Sequence, residues 1–154
     1  MSIGPGTGAL SIIALYKGAK RVVALDINPD AVKNTEANIE KHAMGDRVAA
    51  RLGDVYGSLK KDEKFDTIFC NTPFGFVEEE DLSDLEKSVY DPHYGQTERF
   101  IKEAGEHLKE GGRLLIGFST TLGRINLLEQ FAKDAGFKLQ RIYEAESEEV
   151  YPVK

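Results

Sequence analysis

The sequence predicts an α/β domain in three layers, a mostly parallel sheet covered by helices on both faces. Three observations carry that prediction. Short apolar, β-branched runs alternate along the chain with longer amphipathic stretches, the order that builds parallel strands joined by crossover helices. Three glycines stand at alternate positions, Gly4, Gly6 and Gly8, between an apolar stub and an apolar run. Polar residues, Asp26, Asp54 and Asn71, fall at or just past the ends of expected strands, where open α/β sheets bind ligands.

In chain order, a stub of strand precedes Gly4, and Leu10 to Lys17 reads as the first helix, with Gly18 as a left-handed cap. Arg21 to Leu25 has the look of a buried parallel strand and stops at Asp26. Asn28-Pro29-Asp30 starts the second helix: Asn as N-cap, Pro in the first turn, Asp at the positive end of the dipole. Val32, Thr35, Ile39 and Ala43 form its inner stripe, and Gly45 is its expected stop. Val48 to Leu52 is the third strand, followed by Gly53-Asp54-Val55. Phe65 to Cys70 is the fourth, running into Asn71-Thr72-Pro73-Phe74-Gly75.

No strong signal follows until Thr97. The intervening insert is acidic (Glu78, Glu79, Glu80, Asp81, Asp84, Glu86), reads as a solvated helix start after Phe76, and contains Tyr90-Asp91-Pro92-His93-Tyr94-Gly95. A long irregular segment after a strand end is usually functional or disordered. Thr97 is the expected cap of a helix with Phe100, Ile101, Ala104 and Leu108 on one face, closed by Gly111-Gly112. Arg113 to Ser119 is the fifth strand; Ile125, Leu128, Phe131 and Ala132 mark the last helix, with Gly136 as its stop. Phe137 to Ala145, and Glu149 to Val153, read as closing strands. Without a repeat, linker or low-complexity tract, residues 1–154 read as one domain, short on its N-terminal side.

A net charge of −6 leans against a protein that grips a nucleic-acid backbone, and the scattered Lys and Arg show no basic groove. No apolar run approaches a membrane span and no basic-then-apolar leader is present, so no membrane partner is expected. The single Cys70 excludes an intrachain disulfide and fits a reducing, cytoplasmic setting. His42, His93 and His107 show no metal-ligand spacing, so no metal is expected.

Glycines in such a turn allow left-handed backbone angles and let a ligand touch bare main chain. Gly4, Gly6 and Ala9 satisfy the looser dinucleotide pattern, which leaves a nicotinamide-dependent oxidoreductase open, and a turn with no ligand is a third possibility. Asp26 lies 22 positions after Gly4, the spacing of an acid that accepts hydrogen bonds from a ribose diol.

Read as Gly4, Gly6, Gly8, the turn resembles the first motif of class I S-adenosylmethionine (SAM) dependent methyltransferases. Asn71-Thr72-Pro73-Phe74 resembles the Asn-Pro-Pro-Phe/Tyr motif of the small-domain group that methylates a planar amide or amino nitrogen. The match departs at Thr72, where that group more often has Pro, and at Ser2, where the family commonly has an acid. The resemblance implies a Rossmann-like sandwich with an antiparallel last strand. It implies that SAM is held by Gly4, Pro5, Gly6, Thr7, Gly8, Asp26, Ile27, Gly53, Asp54, Val55 and Asn71, with Asp54 accepting from the adenine amino group. Asn71, Pro73 and Phe74 would then handle the acceptor, a protein or RNA. Because the first strand is so short, a partner or a second copy is expected to complete that side; a non-catalytic methyltransferase-like fragment or subunit is the remaining alternative.

Overall fold

The computed structural model describes residues 1–83 and 86–145. Five parallel strands form the main sheet: β1 (Ser2–Ile3), β2 (Val22–Asp26), β3 (Val48–Leu52), β4 (Phe65–Asn71) and, after two short strands introduced below, β7 (Leu108–Gly117). Their order across the sheet is β3-β2-β1-β4-β7. The chain thus winds outward from β1 to β3, then crosses back to β4. That reversal makes the β1/β4 boundary the topological switch point, where the ends of neighbouring strands feed loops that diverge and leave a crevice.

The helices α1 (Ala9–Tyr16), α2 (Pro29–Lys41), α3 (Gly95–Glu103) and α4 (Ile125–Asp134) divide between two cores. Ile12, Leu15 and Ile39 of α1 and α2 pack with Val22, Ala24 and Val48. Phe100, Ile101 and Leu128 of α3 and α4 pack with Ile3, Ile68 and Cys70. The strands therefore alternate their apolar residues between two covered faces, and the three-layer sandwich is as the sequence reads. No helix among the described residues is long and apolar enough to cross a membrane.

Several boundaries differ from the sequence reading, each for a local reason. The second helix stops at Lys41, ahead of Gly45, because Ala43 already takes the left-handed conformation (φ 53°). The third begins at Gly95, two residues before Thr97, and ends at Glu103 in a 3-10 turn, Ala104–Glu106. Leu108 consequently opens β7 instead of closing a helix. Gly111-Gly112 lies inside that strand, where the register against β4 shifts between Phe65 and Thr67. The insert is more ordered than its composition suggests: β5 (Gly75–Val77) and β6 (Tyr90–Pro92) pair in parallel, Gly75 against Tyr90. The acidic run after Phe76 starts no α-helix; among the described residues it leads to a 3-10 turn, Glu86–Ser88. Residues 137–145 form no strand, so the expected closing strand there is corrected, while Glu149 to Val153 lies outside the described residues.

Candidate active site

The register of the sheet brings the strand ends to one edge. Ile3 pairs with Leu25 on one side and Cys70 on the other, so Gly4 stands between Asp26 and Asn71. Asp26 pairs with Leu52, which puts Gly53 next along, and Asn71 pairs with Gly117.

The glycine turn has the geometry its composition demands. Gly4, Gly6 and Gly8 have φ of 61°, 57° and 78°, all in the left-handed region closed to most side-chain-bearing residues. A Cβ at Gly4 or Gly6 would meet nothing within 4 Å, so bare main chain faces open space there. At Gly8 the reason is packing: a Cβ would come 2.9 Å from Thr35 Cγ2. Pro5 is half-buried and Thr7 exposed. Two α2 side chains hold the turn's carbonyls, Thr35 Oγ1 donating to Gly6 O (3.2 Å) and Asn38 Nδ2 to Thr7 O (2.8 Å). Neither holder was singled out from sequence, although a threonine inside the apolar stripe of α2 is a readable signal.

Asp26 is buried to 9% exposure, and its carboxylate ties two loops together. Oδ2 accepts from the Gly6 N–H (3.2 Å) and Oδ1 from the Asn28 N–H (3.0 Å). Each oxygen keeps a lone pair for a further donor. Ile27, next to it, is exposed. Gly53 is as crowded as Gly8, a Cβ there falling 2.7 Å from Ser58 Oγ. Asp54 is already engaged: Arg99 of α3 reaches its Oδ2 at 2.7 Å, with both side chains half-exposed. Val55 has φ 51°, unusual for a β-branched residue, and its side chain is buried in the core with Ile3 and Tyr56. Only its main chain is available to a ligand.

On the other side of Gly4, Asn71 is exposed and lies against Gly117, where a Cβ would come 2.4 Å from Asn71 Oδ1. Thr72, where a proline would leave the turn without a donor, is buried and gives both its N–H and its Oγ1 to Gly117 O, at 3.1 Å each. It extends the β4–β7 ladder by one residue. Pro73 and Phe74 are half-buried, and the Phe74 carbonyl accepts from Tyr94 Oη at 2.5 Å. Around Tyr94 the insert closes into an aromatic cluster with Phe76 and Phe118, and the Arg124 guanidinium lies 3.6 Å from the Phe76 ring centroid.

The remaining sequence candidates are placed as follows. Burial pushes the Cys70 thiol up to about 12, helped by the charges of Asp26 and Asp91, so it stays a protonated core side chain. His93 is exposed and edges Phe76; His42 contacts Tyr16 Oη; His107 stacks on Tyr56. Among the described residues no group of three or more His, Cys, Asp or Glu could hold a metal ion. Two surface concavities, one between α2 and β3 and one between α1 and α2, include none of Asp26, Asp54 or Asn71.

Comparison with known proteins gives a consistent picture. A family model described as the methyltransferase small domain matches residues 1–141. A putative protein N5-glutamine methyltransferase of Methanocaldococcus jannaschii is 32% identical over 144 residues, 91% of this chain and 71% of that protein. A release factor glutamine methyltransferase of Aquifex aeolicus is 32% identical over 141 residues, 83% of this chain and 49% of its own length. The chain therefore spans between about half and 71% of these relatives. Among solved structures, the ribosomal protein L11 methylase of Lactobacillus delbrueckii subsp. bulgaricus superposes with a TM-score of 0.68 at 23% identity, covering 94% of this chain and 63% of that one.

Proposed function

This chain belongs to the methyltransferase small domain family of SAM-dependent enzymes, and from that premise we propose that residues 1–154 act as a single domain moving a methyl group from SAM to a planar amide or amino nitrogen. The first acceptor to test is a glutamine side-chain amide in a protein, as the names of both relatives suggest. The family sets the oxidoreductase alternative aside. The observation that carries the reading is the adjacency of Gly4 and Asn71, which follow the register partners Ile3 and Cys70 across the switch point.

SAM supplies a sulfonium-bound methyl, an electrophile that needs only a nitrogen lone pair aimed at it in line. The glycine turn offers main chain at Gly4 and Gly6 with space beside it, which suits the methionine part of SAM. Asp26 offers its remaining lone pairs to the ribose hydroxyls, and Asp54 offers Oδ1 to the adenine amino group while Arg99 holds Oδ2. Ile27, Gly53 and the main chain of Val55 border the same place. Asn71 Oδ1 and the carbonyl of Thr72 or Pro73 accept from the two N–H groups of the target, which frees the lone pair that amide resonance ties up. With the donor bound, these acceptors would also stabilise the positive charge that develops on the target nitrogen as it takes the methyl. The proton then leaves the acidic product cation for water, so no strong base is required. Phe74 supplies a face on which the planar target can stack. Charge favours a protein acceptor over RNA: residues 78–81 are all acidic and exposed, and phosphates would be repelled. Action in the cytoplasm belongs to the same proposal.

The test separates the two halves of the site. Asp26→Ala removes charge-assisted bonds worth about 1.5–3 kcal/mol each and is expected to weaken SAM binding about 100-fold or more by calorimetry. Asn71→Ala, which removes one expected SAM contact as well as the acceptor's, is expected to weaken that binding by no more than about tenfold and to cut methyl transfer roughly 100-fold or more. Transfer is followed with tritiated SAM and extract from cells lacking the gene, label in protein or RNA deciding the acceptor class. No measurable SAM binding by the wild-type chain at millimolar concentration would refute the proposal.

A further inference from the structure

We infer that Tyr94 is a positioning residue for the methyl acceptor, its hydroxyl fixing the Phe74 main chain against the loop that follows β7. The inference rests on the acceptor role proposed for Asn71 to Phe74. Tyr94 is fully buried, sits at the N-cap of α3 with φ 56°, and has its hydroxyl in a two-way bridge. That hydroxyl donates to Phe74 O at 2.5 Å and accepts from the Arg124 N–H at 2.9 Å. Three segments, the end of the tetrad, the start of α3 and the start of α4, therefore meet on one oxygen.

The surroundings keep that oxygen in place. Asp91, three residues earlier and almost fully buried, accepts from the N–H groups of Gln96 and Thr97 and from Thr97 Oγ1, which clamps the turn carrying Tyr94 onto α3. The tyrosine ring stands edge-on to Phe76 and Phe118, with centroids 5.3 and 6.0 Å apart. A core tyrosine without a task could satisfy its hydroxyl on any nearby carbonyl. This one takes the carbonyl of the residue proposed to stack on the target, and a positive φ places it there. Turning the Phe74 peptide moves both the stacking ring and the acceptor carbonyl one residue upstream. Small displacements of that kind are costly to an in-line transfer.

Tyr94→Phe keeps the ring and removes the bridge. The expected result is a folded protein with SAM affinity within about twofold of wild type, faster hydrogen exchange at the Arg124 amide, and unchanged exchange at Phe100 and Ile101. Methyl transfer from tritiated SAM to extract protein should fall roughly tenfold in plateau rate when extract is varied at saturating SAM, a loss of the size expected when a reacting group is slightly misplaced. Unchanged plateau rate beside wild-type activity overturns the inference, as does unchanged Arg124 exchange. If Tyr94→Phe does not fold, Arg124→Pro removes the N–H at a residue whose φ of −88° lies near the proline range, with Arg124→Ala as control for the guanidinium. Equal plateau rates in those two variants again overturn it. A wild-type chain that binds SAM yet labels nothing in the extract refutes the acceptor role itself, and this inference falls with it.

Discussion

The strand-end edge has two halves that are built differently. Around β1, β2 and β3, the turn is made of glycines, a capped helix start and one carboxylate, and its bonds are mostly main chain to main chain or to Asp26, with Thr35 and Asn38 of α2 on two carbonyls. Around β4 and β7, side chains tie the tetrad and its neighbours to distant segments: Thr72 to Gly117, Tyr94 to Phe74, Arg124 to Phe76. The first half meets a ligand of fixed chemistry largely with backbone, held in shape by a few side chains, Asp26 and Thr35 among them. The second meets the acceptor with side chains, each of which can be exchanged singly. That division predicts where relatives can differ in substrate while keeping one cofactor.

The largest effect that would test this contrast comes from Gly117→Ala. The added Cβ falls 2.4 Å from Asn71 Oδ1, too close for any real contact, so the amide must move. Methyl transfer is expected to fall roughly 10- to 100-fold, in line with the cost of misplacing a reacting group by about an ångström. SAM affinity by calorimetry should stay within about twofold. A variant with wild-type transfer would show that Asn71 does not need its present position.

Much of the first half was legible in the sequence. Gly4, Gly6 and Gly8 announce positive φ, and Asn28-Pro29-Asp30 announces a capped helix whose N-cap side chain does accept from the Asp30 N–H at 2.8 Å. Spacing alone led to Asp26. The second half was legible only as the tetrad itself. Its contacts join residues 20 to 48 positions apart, as with Tyr94 to Phe74, Thr72 to Gly117 and Arg124 to Phe76, and no local pattern encodes such pairs. The insert looked irregular because its order rests on buried Asp91 and Tyr94, not on an apolar period. Val55 shows the same limit: its place after Asp54 suggests a ligand contact, and its positive φ, which turns the side chain into the core and leaves the main chain for that contact, has no signal in the sequence.

A smaller effect probes the glycine half. Thr35 is fully buried and its hydroxyl is a side-chain partner of the Gly6 carbonyl. Thr35→Val keeps the shape and strands that carbonyl, at a cost of about 1–2 kcal/mol in stability. Because Gly6 N–H is also tied to Asp26, the loosened turn should bind SAM about five- to tenfold more weakly, while the plateau rate of methyl transfer at saturating SAM holds. Lower stability with unaltered affinity would mean that the turn does not depend on α2 for its shape.

The smallest effect comes from a contact outside both halves. Arg51 of β3 grips Glu63 bidentately, at 2.8 and 2.9 Å, and the Lys60 N–H adds a third bond at 2.9 Å. Hydrogen bonding from Arg51, then from the Lys60 N–H, holds the Glu63 carboxyl down at about 2 against an ordinary 4.5. A carboxyl with a lowered folded-state pKa stabilises the protein fully above its unfolded value and loses that contribution as pH falls through the folded one. The stability from this pair is thus present at pH 7 and drains away between about 4.5 and 2. The pair lies near the surface and is screened, so Glu63→Gln should cost only about 1 kcal/mol at neutral pH. In denaturant titrations across pH the gap to wild type should close toward pH 2, with SAM affinity and methyl transfer unmoved at pH 7. A gap that stays constant with pH would mean the ion pair contributes nothing to stability. A shift in SAM affinity would mean instead that the β3–β4 connection belongs to the cofactor half, and the boundary drawn between the two regions would have to move.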